Sequence, residues 1–267
     1  MDLRLTLVEA APVRGDLTEN LRRVQAILRD GPEADLVVFP ELFLSGYRVG
    51  DRLSRMALGP TSPELEGLST SVREKGCWLL LGAPWAPAER PGEVLNVALV
   101  FSPEGFQGTR TKRYLPTFGP FEEGVLFSAG GRSEVLPTPW GRWGVEICYD
   151  TFFPEVSRDL ARGGAVLLVV LSASPVTSRP LFERLLPARA IENGLSVAFC
   201  NRTGVEDGLV FAGGSGVWDV RGNLVGAEVT ELGPEARLLT YRLDMNEPAR
   251  WRPFRPVLRD LSEPPGP

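Results

Sequence analysis

Histidine is missing from all 267 residues of this sequence. Ser-His-Asp and Cys-His mechanisms are therefore excluded, as are metal sites that depend on imidazole. A nucleophile in this chain must find its proton acceptor among carboxylates or lysines. Lysine is itself scarce, because Lys75 and Lys112 are the only lysines among 29 basic residues. Arginine cannot replace lysine where a compact, titratable ammonium is needed, so we expect a role for Lys112, whereas Lys75 fits chance retention on the surface.

The sequence also has few cysteines. Cys77, Cys148 and Cys200 are odd in number and contain no Cys-x-x-Cys pair. A disulfide framework and a structural zinc site are therefore not expected. Cys77 and Cys200 lie in apolar runs, where filling the core is the expected role of a small thiol side chain.

A long apolar run and a basic face are absent too. The longest apolar stretch, Ala165–Leu171, is far shorter than the roughly 20 residues that a membrane-spanning helix needs. The first residues, Met1-Asp2-Leu3-Arg4, show no charged-then-apolar signal pattern. The net charge is −5, and no basic cluster precedes the C-terminal tail. We therefore expect a cytoplasmic protein that binds neither membranes nor nucleic acid.

The apolar and charged fractions, 43% and 24%, are those of an ordinary globular protein. Apolar runs bounded by glycine and proline predict strands. The predicted strands are Leu3–Leu7, Asp35–Phe39, Cys77–Leu81, Asn96–Phe101, Trp143–Ile147, Ala165–Leu171 and Leu195–Cys200.

Amphipathic stretches between these strands predict helices. The predicted helices are Leu17–Leu28 after a cap at Asp16, one capped by Ser62 and opening at Pro63, Pro154–Arg162, and Pro180–Asn193. Hairpin turns are expected at residues 102–105 and 219–223. The alternation indicates a layered α/β domain with a mixed sheet over residues 1–245. The Pro- and Arg-rich residues 246–267 predict an extended C-terminal arm.

Cys148 stands between a predicted strand and a predicted helix. The stretch is Trp143-Gly144-Val145-Glu146-Ile147-Cys148-Tyr149-Asp150, and Phe153-Pro154-Glu155 opens the helix. A sharp turn there presents the thiol near backbone N–H groups that favour a thiolate and bind an oxyanion. A small core cysteine at a strand end explains the position equally well. Strand alternation places Glu146 on the same face, as a buried, satisfied acid or as a group that tunes Lys112.

Glu41 follows the predicted strand Asp35–Phe39 and Pro40. A second apolar run, Leu42–Tyr47, comes directly after it. An acid between two apolar runs is expected to lose its contact with water, which suits a general base. The alternative is a solvated carboxylate at the end of a strand.

Lys112 lies in Thr111-Lys112-Arg113-Tyr114-Leu115-Pro116-Thr117-Phe118-Gly119-Pro120-Phe121-Glu122-Glu123. A cation among aromatic residues and prolines can stabilise the negative charge of a tetrahedral intermediate. Glu123 could orient this ammonium or a substrate amide. The alternative for Glu122 and Glu123 is a solvated acidic pair.

The three motifs together resemble one family. Phe39-Pro40-Glu41, Lys112-x-x-Leu115-Pro116 and Glu146-Ile147-Cys148-Tyr149-Asp150-x-x-Phe153-Pro154-Glu155 resemble the nitrilase superfamily of carbon–nitrogen hydrolases. The resemblance runs from about Leu3 to Leu243. It implies a four-layer αββα sandwich, a homo-oligomer of dimer size or larger, a small amide substrate, and no cofactor or metal.

The same resemblance implies a role for each residue. Glu41 becomes the general base, Lys112 the oxyanion cation, Cys148 the nucleophile and Glu123 the supporting carboxylate. Glu41 takes the thiol proton as Cys148 attacks the amide carbon, and the backbone N–H of Tyr149 helps to hold the oxyanion. Protonated Glu41 then assists the departure of ammonia, and a thioester is left for water to hydrolyse.

Peripheral segments are similar to the glutamine-hydrolysing domain of NAD synthetases. These segments are Pro12-Val13-x-Gly15-Asp16-Leu17-x-x-Asn20, Gly46-Tyr47-x-x-x-Asp51-x-Leu53, Leu171-Ser172-Ala173-Ser174-Pro175 and Phe211-x-Gly213-Gly214-Ser215, besides the lysine segment. The similarity implies that Phe118, Phe121, Ser172 and Ser174 line the substrate pocket together with Tyr149. That branch usually has Cys-Glu-Asp where this chain has Cys148-Tyr149-Asp150, and often tyrosine at Phe118.

Three hypotheses follow. The first is a glutaminase-type amidase, expected to be a separate subunit that supplies ammonia to an NAD synthetase, because no ATP-binding glycine loop is found in the sequence. The second is a free-standing amidase or N-carbamoyl amino acid hydrolase that acts on a small carboxylated amide. The third, from another class, is a catalytically silent interaction module. Iodoacetamide labelling of Cys148 discriminates the third from the others.

Overall fold

The structure is a computed structural model and describes residues 1–233 and 236–261. Its strands are β1 (Asp2–Ala10), β2 (Leu36–Val38), β3 (Trp78–Trp85), β4 (Leu95–Ser102), β5 (Gly105–Thr111), β6 (Leu136–Thr138), β7 (Gly141–Ile147), β8 (Ala165–Ser172), β9 (Ser196–Asn201), β10 (Thr203–Glu206), β11 (Leu209–Ala212), β12 (Gly216–Trp218), β13 (Glu228–Leu232) and β14 (Ala236–Asp244). Its helices are α1 (Leu17–Asp30), α2 (Leu53–Met56), α3 (Glu64–Lys75), α4 (Glu123–Leu126), α5 (Pro154–Arg162), α6 (Arg179–Asn193), α7 (Glu247–Trp251) and α8 (Val257–Asp260). Short 3-10 turns cover residues 50–52, 148–152 and 176–178.

Two large mixed sheets contain most of these strands. The first sheet has the order β13-β14-β1-β2-β3-β4-β5, and its central strands β1, β2 and β3 are parallel. The second has the order β12-β9-β8-β7-β6, with β7, β8 and β9 parallel. Strands β10 and β11 form an antiparallel hairpin outside both sheets. Parallel strands β2 and β7 lead directly into the segments that carry Glu41 and Cys148.

Strand β1 shows how the first sheet is buried on both faces. Its alternate residues Leu3, Leu5 and Leu7 enter the core between the two sheets. On the opposite face, Val8 and Ala10 pack in a second core with helices α1 and α3.

Strand β8 divides its side chains in the same way. Leu167, Val169 and Leu171 enter the core between the sheets, whereas Leu168 and Val170 pack against helices α5 and α6. The order of layers is therefore helix, sheet, sheet, helix. The predicted αββα sandwich is confirmed.

Most predicted elements lie where the sequence placed them. The strands agree within a few residues, and α5 has the predicted bounds. Asp16 caps α1 by accepting a hydrogen bond from Glu19 N at 2.9 Å. The predicted cap at Ser62 is wrong, because its hydroxyl accepts instead from Gly59 N at 2.8 Å and closes the preceding turn. The other strands, among them the apolar β11 and β14, and the short helices were not predicted.

The C-terminal segment differs from the expected extended arm. Its described part contains the short helices α7 and α8. Arg252 ties it to the domain by donating from Nε to Gly194 O at 3.1 Å. Residues 262–267, which belong to the same prediction, lie outside the described residues. Within residues 1–233 and 236–261, every helix is too short or too polar to cross a bilayer.

Candidate active site

Cys148 occupies a strained turn between strand and helix. Strand β7 ends at Ile147, a 3-10 turn covers residues 148–152, and α5 begins at Pro154. The backbone of Cys148 is left-handed, with φ of 47°, which is uncommon for a residue other than glycine. The residue is partly exposed. The predicted strand–turn–helix arrangement is therefore present, and it places the thiol at the carboxyl end of β7.

Asp150 joins this turn to the lysine segment. Its buried carboxylate accepts from Ile147 N at 3.2 Å, Tyr114 N at 2.9 Å and Arg113 N at 3.1 Å. Burial raises the pKa of Asp150 to about 7, although nearby Lys112 and the backbone donors act in the opposite direction. Because the residues next to Lys112 and Cys148 share one carboxylate, the two segments are held in register.

Glu146 is a buried acid whose hydrogen bonds are satisfied, which is the interpretation favoured from the sequence. Its two oxygens accept from Thr151 Oγ1 at 3.0 Å and Ser157 Oγ at 2.6 Å. These bonds tie the turn after β7 to helix α5. Burial raises the pKa of Glu146 despite the two hydroxyl donors.

Glu41 follows β2 and is almost fully buried. Its Oε2 accepts from Ala173 N at 2.8 Å, and its Oε1 accepts from Asn96 Nδ2 at 2.8 Å and Lys112 Nζ at 2.7 Å. Gly82 makes this position possible, because a Cβ there would lie 2.6 Å from the Glu41 Cα. The expectation that Glu41 lies away from solvent is confirmed.

Lys112 is only 1% exposed and contacts two carboxylates. Its Nζ lies 2.7 Å from Glu41 Oε1 and 2.7 Å from Glu123 Oε1. A buried ammonium is costly unless it is paired. Burial alone lowers the pKa of Lys112, but Glu123 and Glu41 outweigh it and raise the pKa well above its usual value. The lysine is therefore held as a cation.

Glu123 is buried at the start of α4, whereas its neighbour Glu122 is exposed. The structure thus separates the two acids that the sequence left as alternatives. Burial raises the pKa of Glu123 to about 6, although Lys112 and the hydroxyl of Tyr47 lower it. Tyr47 donates to Glu123 Oε1 at 2.5 Å, on the same oxygen that contacts the lysine.

The thiol of Cys148 is surrounded by the same groups. Burial raises its pKa well above the usual value, and Glu41 adds to the rise, whereas Lys112 opposes it. Burial and Glu41 therefore oppose the thiolate that the turn is expected to favour, whereas Lys112 and the Ser172 side chain support it. A resting thiol needs a base when it attacks, and Glu41 is a neighbouring carboxylate.

The predicted substrate-binding residues fall into two sets. Phe118, Phe121 and Tyr149 form an aromatic rim, in which the Phe118 ring lies 5.7 Å from Phe121 and 5.4 Å from Tyr149. Phe118 is 53% exposed. Ser172 is buried and its side chain interacts with the Cys148 thiol.

Ser174 is connected to the charged groups through its neighbours in the chain and not through its own side chain. Its N–H donates to Asn201 Oδ1 at 2.8 Å, and it follows Ala173, whose N–H holds Glu41. In the described part of the chain, the buried hydroxyls of Ser172 and Ser174 make no hydrogen bond of ordinary geometry. Because the Ser172 side chain interacts with the Cys148 thiol, the hydroxyl of this pair that has no partner among the described residues is that of Ser174.

Two residues with a part in this site were not predicted. Asn96 is the second residue of β4 and donates to Glu41 at 2.8 Å and to Glu123 at 3.5 Å. Tyr47 was noted only within a motif, yet its hydroxyl contacts Glu123. A polar side chain in a buried strand was the available signal for Asn96. No local signal reveals the partner of Tyr47, 76 residues away.

A cavity of about 280 Å³ borders Tyr47 and Glu123. Its lining includes Glu122 and Asp207 but neither Lys112 nor Cys148, so the cavity lies beside the charged cluster and not at the thiol. Among residues 1–233 and 236–261, the acidic and cysteine side chains form no group of three that could hold a metal ion.

Comparisons with known proteins agree with this geometry. The profile of the carbon–nitrogen hydrolase family matches residues 4–253. The chain is 34% identical over 257 residues to a glutamine-dependent NAD(+) synthetase of Thermotoga maritima, covering 93% of this chain and 43% of that protein. It therefore spans less than half the length of that relative.

Two other relatives are covered over most of their length. The chain is 35% identical over 225 residues to an (R)-stereoselective amidase of Pseudomonas sp., covering 84% of this chain and 80% of that one. It is 30% identical over 265 residues to a 2-oxoglutaramate amidase of Paenarthrobacter nicotinovorans, covering 95% and 88%.

Solved structures that resemble this chain are also carbon–nitrogen hydrolases and amidases. A CN-hydrolase superfamily protein from Xanthomonas campestris, with an arsenic adduct in its active site, superposes with a TM-score of 0.83 at 27% identity, covering 97% of each chain. An amidase variant from Nesterenkonia sp. AN1 superposes with a TM-score of 0.75 at 28% identity, covering 95% of this chain and 98% of that one. In that amidase, acrylamide has added to the active-site cysteine.

Proposed function

This chain belongs to the carbon–nitrogen hydrolase family of the nitrilase superfamily, whose amidases act on carbon–nitrogen bonds other than peptide bonds, and we propose that it releases ammonia from the side-chain amide of glutamine. One observation carries the proposal. Glu41 and Glu123 each lie 2.7 Å from the buried ammonium of Lys112, and all three interact with the thiol of Cys148. An acid, a cation and a nucleophile from distant parts of the sequence therefore meet.

The first half of the proposed reaction forms a thioester. Glu41 accepts the thiol proton as the sulfur of Cys148 attacks the amide carbon. The carbonyl electrons move to oxygen, where Lys112 and the N–H of Tyr149 stabilise the charge. When the oxyanion collapses, the carbon–nitrogen bond breaks and protonated Glu41 gives its proton to the leaving ammonia.

The second half uses water. Glu41 is again a carboxylate and removes a proton from a water molecule that attacks the thioester carbon. The carbon–sulfur bond breaks, the thiol is restored, and the acyl group leaves as a carboxylic acid. Glu123 keeps Lys112 in place through both steps, because the two groups share a buried hydrogen bond.

Similarity to the NAD synthetase of Thermotoga maritima supports glutamine as the substrate. The aromatic rim and the buried hydroxyl of Ser174, which has no hydrogen-bond partner in the described part of the chain, support a pocket for a polar acyl group. We further propose that residues 1–245 form the hydrolase unit, that the chain acts as a dimer or larger homo-oligomer, and that it supplies ammonia to an NAD synthetase.

The second candidate is an amidase for a small carboxylated amide, such as 2-oxoglutaramate or an N-carbamoyl amino acid. It is favoured by Tyr149, whose ring packs on Phe118 and Phe153 and offers no carboxylate to a glutamine ammonium. Similarity to a 2-oxoglutaramate amidase supports the same candidate.

Ammonia release separates the candidates. Glutamine, 2-oxoglutaramate and an N-carbamoyl amino acid are compared, with and without an NAD synthetase, using wild type, Cys148→Ala and the core control Cys77→Ala. We expect glutamine to be fastest, Cys148→Ala to be inactive and Cys77→Ala to match wild type. Glutamine turnover no faster than that of the other amides, even with the synthetase present, would transfer the assignment to the second candidate. An inactive protein with a thiol inert to iodoacetamide would indicate a silent module.

A further inference from the structure

In the hairpin of β10 and β11, an acidic side chain is buried and the neighbouring apolar side chain is exposed, which is the reverse of the usual pattern. In β10, Val205 is 65% exposed, whereas the carboxylate residue Glu206 is only 4% exposed. Burying a charged acid while exposing a valine costs free energy unless the acid makes strong interactions. The inverted pattern therefore indicates that Glu206 has a specific task.

The contacts of Glu206 identify that task. Its Oε2 accepts from Tyr47 N at 2.9 Å and from Arg48 N at 2.9 Å. Its Oε1 pairs with the buried guanidinium of Arg202, which lies over the ring of Phe211 at 4.4 Å. The hairpin thus holds the backbone of the loop at residues 47–48 through one saturated carboxylate.

Gly46 allows this approach. It has φ of 79°, and a Cβ at that position would lie 3.0 Å from Glu206 Oε1. The loop therefore has a backbone shape that brings two consecutive N–H groups to a single oxygen.

Tyr47 links the loop that Glu206 holds to the charged groups of the candidate site. Its hydroxyl donates to Glu123 Oε1, the oxygen that also contacts Lys112 Nζ at 2.7 Å. The charged groups that face Glu123 are Lys112 and Glu41, and the Cys148 thiol lies beyond them. A shift of the Tyr47 backbone would remove one of the two strong donors to Glu123.

We propose that Glu206 is a positioning residue that fixes Tyr47, and through it Glu123 and Lys112, for reaction at Cys148. The proposal rests on the proposed function for the roles of Glu123, Lys112 and Cys148. It adds a residue from outside both large sheets to that machinery. Misplacement of reacting groups by even a fraction of a bond length lowers rates strongly, so a remote anchor of this kind affects turnover.

The test measures the rate of Cys148 alkylation by iodoacetamide against pH. This probe carries a primary amide, so the readout does not depend on the acyl group of the substrate. Wild type, Tyr47→Phe, Glu206→Gln and the double variant are compared, and Cys148→Ala gives the background from other thiols. Glutamine cannot replace the acid, because one end of its amide would present a donor to donors.

In wild type, the alkylation rate should fall on the acid side of the pH profile, and we call this part of the profile the acid limb. In Tyr47→Phe, the midpoint of the acid limb should move to higher pH by on the order of half a unit, because the hydroxyl stabilises the charged form of Glu123. Glu206→Gln should also move the midpoint of the acid limb to higher pH, and it should lower the rate of Cys148 alkylation at neutral pH roughly tenfold. The double variant should shift no further than Tyr47→Phe alone, because both changes act on one hydrogen bond.

Asp207→Asn is the matched control. Asp207 lies at the tip of the same hairpin and pairs on the surface with Arg14 at 2.5 Å and Arg48 at 3.6 Å, so its loss should leave the pH profile unchanged. A wild-type profile in Glu206→Gln, or shifts that add in the double variant, would overturn the proposal. If Glu206→Gln does not fold, Arg202→Lys takes its place, and an unshifted limb in that variant is equally contrary. Amide hydrolysis that persists in Cys148→Ala would instead overturn the proposed function.

Discussion

The charged interior of the candidate site and its aromatic rim differ in what fixes their side chains. In the interior, Glu41, Lys112 and Glu123 are buried and joined by hydrogen bonds of 2.7 Å. At the rim, Phe118 and Tyr149 are in ring contact at 5.4 Å and remain open to solvent. Directional bonds between buried charges permit few arrangements, whereas ring contacts permit many.

This difference separates what the site does from what it acts on. In the proposed function, the interior supplies a base, a cation and a nucleophile, and these define the type of reaction. In the same proposal, the rim contacts the part of the substrate that does not react, where each apolar contact changes selectivity by only about 1–3 kcal/mol. A family can therefore keep one chemistry while its rims accept different acyl groups.

Removal of the interior cation should have the largest effect. In Lys112→Met, two buried carboxylates face each other without a counter-ion, and the oxyanion loses a charged donor. We expect kcat/KM to fall at least several hundredfold, corresponding to roughly 3 kcal/mol or more. We also expect loss of stability of about 3–5 kcal/mol, because a buried ion pair is broken. Steady-state ammonia release and chemical denaturation measure the two effects.

The second lysine provides the control for this prediction. Lys75 lies at the end of helix α3 and donates to the carbonyl of Gly31 at 2.8 Å. Lys75→Met should keep full activity. Equal losses in the two variants would mean that Lys112 has only a structural role and that the interior does not differ from the rest of the protein.

Removal of the second carboxylate should have a smaller effect on rate and a distinct effect on pH dependence. The pKa of Glu123 is raised to about 6, so protonation below that value weakens its hold on Lys112, and wild-type activity should fall as the pH drops through about 6. Glu123→Gln resembles the protonated state at every pH. We expect about a 30-fold lower kcat/KM at neutral pH, on the scale of a charged hydrogen bond, and loss of that acid limb. The exposed neighbour variant Glu122→Gln should retain the wild-type profile, and an unchanged limb in Glu123→Gln would contradict the assignment.

The residues of the charged interior could be predicted from the sequence, whereas the residues that hold them in position could not. Glu41 and Cys148 each follow a run of apolar residues that forms a parallel strand, so their positions follow from local pattern. The rarity of lysine singles out Lys112, and the resemblance of the three motifs to the nitrilase superfamily implies that Glu41, Lys112 and Cys148 act together. Asn96 and Glu206 were missed, because their roles depend on partners in distant loops whose backbone shape no local pattern reveals. The inverted burial of Val205 and Glu206 becomes visible only in the folded chain.

The rim can be tested by restoring the acid that the NAD synthetase branch has beside its nucleophile. Tyr149→Glu places a carboxylate where the ammonium of glutamine could meet it. We expect the ratio of kcat/KM for glutamine over 2-oxoglutaramate to rise about fivefold, since a partly exposed ion pair contributes about 1 kcal/mol. Tyr149→Gln, of similar size but without charge, should not change the ratio. A ratio that moves equally in both variants would mean that ring packing, and not charge, sets the preference.

The outermost ring should have the smallest effect, and on binding alone. Phe118 is 53% exposed, and its ring packs on Phe121 and Tyr149. In Phe118→Ala, substrate loses part of one apolar wall, so KM should rise about threefold to fivefold while kcat stays within a factor of about two, as expected for loss of roughly 1 kcal/mol of uniform binding. Val125→Ala, which truncates another exposed apolar side chain just after Glu123, should change neither constant. A fall in kcat in Phe118→Ala would show that the rim positions the reacting amide, and the separation between chemistry inside and selectivity outside would then fail.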